Sequence, residues 1–223
     1  MKSIFSDKAT VVIRAILSEP DRKWTVRDFE KEFNIGRSRA AQVLAELRKN
    51  GYVGGIAAGR QAYSQLMDRE GLLNEWLRVY RFELNESHLY YSDTEILKKM
   101  KTFLQNKRWK NKYALTLHAG ANLISNYVNT PVIYCYLDSR HFKEMSLEIR
   151  QALDLKELKN GGNVCFIKPY YKDSVFIHKQ TIKGLSVVSN LQLYLDLYHF
   201  PQRGKEHAEY LLKVLKEKGV ELG

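Results

Sequence analysis

The sequence predicts a mixed α/β (α+β) fold in two parts, a small helical module ahead of a larger domain in which helices and strands alternate. Three observations carry this. Residues 1–66 show helical apolar spacing interrupted by one glycine turn and followed by a short hairpin signal. Residues 113–223 alternate β-branched runs with amphipathic ones. Charge is also uneven: residues 1–66 hold 12 Lys and Arg against 7 Asp and Glu, the most basic stretch of a chain with formal net charge +11.

In the first module, Ser6 or Asp7 caps a helix running to about Ser18, with Val12, Ile13, Ile16 and Leu17 on its apolar side. Glu19, Pro20 and Asp21 stop it. Thr25 caps a second helix carrying Val26, Phe29 and Phe33. Asn34-Ile35-Gly36 is a tight turn in which Gly36 can take positive φ. Ser38 opens a third helix that stops at Asn50-Gly51. Residues 52–56 and 61–66 then read as short strands about the turn Ala58-Gly59-Arg60. Helix, helix, glycine turn, helix and hairpin is the layout of a winged helix-turn-helix. A linking helical region is expected over 67–112, with helices from Asp68 to about Leu84 and from about Asp93 to Asn106.

Beyond it, strands are expected at Tyr113–Leu115, Val132–Leu137, Val164–Lys168 and Ser174–Ile177. Helices are expected from Leu117 to Asn126, between Met145 and Leu158, and over Ser189–Tyr198 and Gly204–Glu217. Cys135 and Cys165 lie in apolar surroundings without paired metal spacing and are expected as buried small hydrophobes. The six histidines show no ligand spacing, so no metal or cofactor is expected. The N-terminal apolar stretch is broken by Arg14 and lacks a small-residue cleavage site, unlike a signal peptide. Tyr113 to Leu137 carries no formal charge, yet His118, Asn122, Asn126 and Asn129 make it too polar for a membrane span. A cytoplasmic protein is the expectation.

The chemistry concentrates on the third helix. Ala40, Val43, Leu44 and Leu47 form its buried face, and Arg39, Gln42, Glu46 and Lys49 are expected opposite. The second helix of a helix-turn-helix enters the major groove of duplex DNA with its N-terminal residues against base edges. Arg37, Ser38, Arg39 and Gln42 are suitable there, Arg toward guanine and Gln toward adenine. Arg60 at the wing tip, with Gln61 beside it, reaches the minor groove or a phosphate. Arg48, Lys49 and Lys23 touch only the backbone. A protein-docking role for the same basic face is the competing use of such a module.

A rival reading concerns chemistry. Strand, helix with Gly120, and a strand ending at Asp138 is the opening of a minimal nucleotidyltransferase fold. Such enzymes need a Gly-Ser pair and two or three carboxylates converging on Mg²⁺. Here Ala121 follows Gly120, and Ser139-Arg140 follows Asp138. A divergent metal-dependent nucleotidyltransferase centred on Asp138 is the alternative to a binding protein.

The stretch from Tyr113-Ala-Leu-Thr through Asn163-Val, and above all Gly184-Leu-Ser-Val-Val-Ser-Asn-Leu-Gln-Leu-Tyr-Leu-Asp-Leu197 followed by Pro201-Gln-Arg-Gly-Lys-Glu206, resembles the AbiEi-type antitoxins. These are transcriptional regulators of type IV toxin–antitoxin systems. The likeness extends over most of the chain, the N-terminal module included. It implies a DNA-binding N-terminal domain that represses its own operon. It also implies a degenerate nucleotidyltransferase-like C-terminal domain opposing a nucleotidyltransferase toxin without a stable complex. No catalytic residue carries over. Leu191, Tyr194, Leu195 and Tyr198 make the "QLYLDL" helix largely buried, Arg203-Gly204 a corner, and Gln192, Asp196 and Arg203 the candidates for a functional surface.

Overall fold

The computed structural model describes residues 4–92, 96–104, 108–158 and 161–222. The chain divides into two compact units, Met1–Tyr80 and Arg81–Leu222.

In the first unit, α1 (Asp7–Ser18), α2 (Val26–Phe33) and α3 (Arg37–Lys49) precede a hairpin of β1 (Val53–Gly54) and β2 (Gln65–Leu66). Thr25 caps α2 in a reciprocal box: its Oγ1 accepts from the Asp28 amide, and the Asp28 carboxylate accepts from the Thr25 amide. The left-handed residue of the α2–α3 turn is Asn34 (φ 54°), whereas Gly36 has φ −55° and is the N-cap of α3. Asn tolerates that conformation, and its amide reaches back to the Glu30 carbonyl while that of Ile35 reaches Phe29.

The hairpin is shorter than expected, with the pairs Val53↔Leu66 and Gly54↔Gln65 alone in its ladder. Its returning strand gains a third partner through the bridge Trp24↔Ser64, made by two backbone hydrogen bonds of 2.7 Å. Arg48 of α3 adds a side-chain tie, its Nη2 donating to Ser64 Oγ at 2.7 Å and to the Tyr63 carbonyl at 3.3 Å. The helix after the hairpin, α4 (Arg69–Val79), is shorter than the expected 68–84. It is core rather than connector: Trp76 is fully buried, stacks on Phe5, and lies under the Arg14 guanidinium of α1.

The second unit is a seven-stranded mixed sheet in the order β6-β3-β7-β5-β4-β9-β8. Its strands are β3 (Glu86–Tyr91), β4 (Tyr113–Thr116), β5 (Ile133–Leu137), β6 (Lys156–Glu157), β7 (Val164–Lys168), β8 (Gln180–Ile182) and β9 (Leu185–Val187). Its helices are α5 (Ile96–Leu104), α6 (Leu117–Ala121), α7 (Phe142–Ala152), α8 (Asn190–Tyr198) and α9 (Gly204–Glu217). The ends of the helix expected over 93–106 lie outside the described residues. β3 falls between the two helices expected in the 67–112 region, where the sequence predicts no strand, and only Tyr90 of it is buried, which leaves little apolar alternation to read. Ser174–Phe176 is a 3₁₀ turn, not a strand. The strands nearby are β8 and β9, joined at Lys183-Gly184, both with positive φ as a tight hairpin turn requires. α6 stops early because Asn122 folds the chain back, bonding the Val128 carbonyl through Nδ2 and the Tyr127 amide through Oδ1. Cys135 and Cys165 are free thiols buried on β5 and β7.

Gln192 and Asp196 are fully buried, so they form no surface. Tyr136 Oη and Gln192 Nε2 donate to the Asp196 carboxylate, the latter at 2.7 Å, and Thr116 Oγ1 donates to it as well. α8 is thereby tied to β4 and β5. The Arg203-Gly204 corner is geometric, as expected. Arg203 is left-handed (φ 58°), and a β-carbon on Gly204 would meet the Leu197 carbonyl oxygen at 2.2 Å.

Beside that corner His118 and His207 stack, with their Nδ1 atoms 2.8 Å apart. Their Nε2 atoms face the carbonyl oxygens of Gln202 (2.7 Å) and Ser125 (3.1 Å). Satisfying all these contacts needs three protons on two rings, one more than a neutral pair carries. Burial opposes that charge and the Arg203 guanidinium adds to it. Both imidazoles are lowered, His207 to about 4.

A histidine held neutral stabilises the fold above its ordinary value of 6.5, and that stability is lost as pH falls toward 4 because the unfolded chain takes up the proton. The melting temperature should therefore drop across that interval, and His207→Gln should flatten the drop; an unchanged pH profile in the variant would refute the assignment. Arg48→Met should cost about 1–3 kcal/mol in denaturant unfolding by removing the tie to Ser64 and Tyr63. Equal midpoints for the two proteins would show that the hairpin does not depend on it.

Candidate nucleic-acid interface

The sequence packs α3 through Ala40, Val43, Leu44 and Leu47, all buried. The side directly opposite is a crest of Ser38, Gln42, Ala45 and Lys49, flanked by Ala41, and all five are exposed. Arg39 and Glu46, expected on that crest, lie at its edge and are half-buried. The offset follows from helix geometry. Successive residues turn by about 100°, and the buried stripe is centred near Leu47, which places residues 38, 42, 45 and 49 outermost.

The two guanidinium groups at the start of α3 are occupied. Arg37 Nε meets Glu30 Oε2 of α2 at 2.6 Å, a pair in which both partners are exposed. Arg39 Nη2 donates to Ser6 Oγ at the head of α1, at 2.7 Å. Arg48 serves the hairpin, as described above. Ser38, Gln42, Lys49, Arg60 and Gln61 are exposed.

Between α3, the head of α2 and the hairpin lies an open groove of about 1110 Å³. Ala41, Ala45, Ala57 and Ala62 line it with small side chains. Arg27, Arg48, Lys49 and Arg60 supply its charge, and no carboxylate lines it. Arg27, Lys49 and Arg60 are exposed and form no ion pair among the described residues. Lys23 stands nearby, its ammonium 4.9 Å from the Tyr63 ring centre. Arg27 escaped the sequence reading, although its place just inside the Thr25 cap marks a helix start, where anions are favoured. The alanines escaped it too, because alanine, whether on the exposed face of α3 or in the hairpin, gives no chemical signal.

The landmarks of the nucleotidyltransferase alternative do not converge. β4 and β5 are antiparallel with Tyr113↔Leu137 and Thr116↔Tyr134 in register. Gly120 follows one end of that ladder and Asp138 the other. Gly120 is packing: a β-carbon there would sit 3.0 Å from the Leu115 carbonyl oxygen and from Leu193. Asp138 ends β5 as a turn residue, its Oδ1 accepting from the Arg140 amide at 2.8 Å and meeting His141 Nδ1 at 3.2 Å. Burial works to raise its carboxyl, but the Arg140 amide, His141 and the Arg140 guanidinium outweigh it and hold it below the usual range. Among the described residues no three His, Cys, Asp or Glu side chains cluster as a metal site would require. No helix there is long and apolar enough to cross a membrane.

No curated protein and no solved structure matches the chain. A family model, "Transcriptional regulator, AbiEi antitoxin, Type IV TA system", matches residues 65–216. The match begins within the hairpin, so α1, α2 and α3 fall outside it, and the likeness is narrower than the expected one. It takes in the Asp196 network and the Arg203-Gly204 corner. On that match, covering well over half of its residues, the chain belongs to the AbiEi antitoxin family of type IV toxin–antitoxin transcriptional regulators.

Proposed function

We propose that the first unit is a winged helix-turn-helix that binds duplex DNA through α3 and the groove beside it, and that the chain is the antitoxin and repressor of its own operon. The observation that carries this reading is the groove: it is bounded by an exposed helix crest on one side and a hairpin on the other. Four cations line it and no acid does. Ala57 and Ala62 on its hairpin side let a phosphodiester strand approach closely, and Arg27, Lys49 and Arg60 are placed to pair with phosphates. The hairpin is the wing, with Arg60 and Gln61 toward its tip.

The second unit, in this reading, derives from a nucleotidyltransferase-like domain and acts against a nucleotidyltransferase toxin without a lasting complex. Its support is the family match together with a strand–helix–strand unit, β4-α6-β5, whose phosphate and metal positions are taken up by packing and turn residues. The protein works in the cytoplasm, where its operator lies.

The test is a salt titration. The protein is titrated against a labelled duplex from the region upstream of its own gene and against a scrambled duplex. The logarithm of the binding constant should fall linearly with that of salt, by about 0.9 per phosphate contact. Arg27→Ala, Lys49→Ala and Arg60→Ala should each shallow the slope by about one and weaken both duplexes alike. Equal slopes for the three variants and the parent, or no retention of either duplex, would refute the proposal.

A further inference from the structure

The crest of α3 carries a narrow chemical vocabulary. Ser38, Gln42 and Ala45 stand in line, with Ala41 beside them, and all are exposed. Ser38 and Gln42 have no side-chain hydrogen bond among the described residues, so both amide atoms of Gln42 are available. From Ser38 to Ala45 the helix rises about 10 Å, roughly three base-pair steps. Lys49, one turn beyond Ala45, is a groove cation placed to pair with a phosphate.

Base edges in the major groove select among such groups. Guanine offers two acceptors, O6 and N7, and is read by Arg or Lys; adenine offers an acceptor and a donor, N7 and N6–H₂, and is read bidentately by Gln or Asn. The C5 methyl of thymine is read by apolar contact with groups such as an alanine β-carbon. The guanidinium groups nearest the crest are turned away from it, Arg37 toward Glu30 and Arg39 toward Ser6. What remains outward on this stretch is one hydroxyl, one carboxamide and two methyl groups.

We propose that α3 reads an A·T-rich half-site, with Gln42 bidentate on one adenine and the β-carbons of Ala41 and Ala45 against thymine methyl groups of adjacent pairs. This rests on the reading of the first unit as a DNA-binding module and specifies its ligand. Gln42 Nε2 donates to adenine N7, and its Oε1 accepts from the N6 amino group. Ser38 reaches a base or a phosphate without choosing between A and G. Arg37 and Arg39 serve the helix start as internal braces and set no base preference.

The experiment selects duplexes from a pool with a randomised centre on the intact protein, sequences those retained, and repeats the selection with Gln42→Ala, Arg37→Ala and Arg39→Ala. An enriched run of about three A·T pairs is expected, with its adenine preference lost only in Gln42→Ala. That substitution should also weaken the selected duplex ten- to a hundredfold, on the order expected for one bidentate base contact. Deoxyuridine in place of a contacted thymidine, which removes one methyl group, should weaken binding roughly fourfold. A G·C core whose guanines lose their enrichment in Arg37→Ala or Arg39→Ala would overturn the proposal while leaving DNA binding intact. Retention without any enrichment would overturn it equally. If no duplex is retained at all, the DNA-binding reading falls, and this inference with it.

Discussion

The geometry of the first unit depends on one junction: the backbone bridge between Trp24 and Ser64, braced by Arg48. Two-residue strands are too short to hold a hairpin on their own. The bridge makes the returning strand the middle of a three-stranded patch, and the two 2.7 Å backbone bonds align it with the head of α2. Arg48 then fastens the same serine to α3. One residue, Ser64, thus connects three of the walls that define the groove. It is buried, so the junction is shielded from competing water. A basic helix without that junction would be a solvated face; with it, Arg27, Lys49 and Arg60 are held around one concavity.

Cations around the candidate groove divide into those that are spent internally and those that are not. Arg22 shares Glu19 and Glu32 and sits on the Trp24 ring, Arg37 faces Glu30, and Arg39 is bonded to Ser6. An exposed pair such as Arg37–Glu30 contributes only about 0–1 kcal/mol to stability. Its effect is directional: it draws a long, flexible side chain back along α2. The crest is then left with short groups, which favours close approach over long reach. Formal charge counted along the sequence cannot separate these two populations, because the pairing partners lie on other helices.

Much of the fold was legible from spacing and capping. The α2 cap at Thr25, strand β7 and the bounds of α9 needed only local chemistry, and the structure keeps them. The misses share a cause, which is that the deciding partner is distant or chemically silent. β3 is mostly exposed yet is held between β6 and β7, so its own pattern says little. The end of α6 is set by the carboxamide of Asn122, a contact no periodicity reveals. Asn34 rather than Gly36 takes the left-handed turn, because Asn34 is the C-cap of α2 while Gly36, two residues on, is already the N-cap of α3. At the interface, the crest was misplaced by a fraction of a turn. Arg39 and Glu46 follow the polar spacing, but the buried stripe centred on Leu47 sets the orientation, and hydrophobic packing outweighs polar alternation in turning a helix.

The family match takes in β2 and α4 of the first unit and nearly all of the second, whereas the residues that line the groove all precede it. Gln192 and Asp196 carry no surface chemistry. They are interior polar groups whose hydrogen bonds tie α8 to β4 and β5, and removing one donor leaves a buried carboxylate short of a partner at a cost of about 1–3 kcal/mol. Gly204 is fixed by the Leu197 carbonyl, which leaves no room for a β-carbon. Such positions resist substitution whatever the protein binds, because they hold the scaffold of the second unit together. Exposed residues on the α3 crest carry no such penalty: replacing Gln42 or Ala41 strands nothing and opens no cavity. Under the DNA-binding proposal, operator preference is therefore free to change by surface substitution in the first unit while the scaffold of the second stays fixed. For that reason the family assignment and the DNA-binding proposal stand on separate observations.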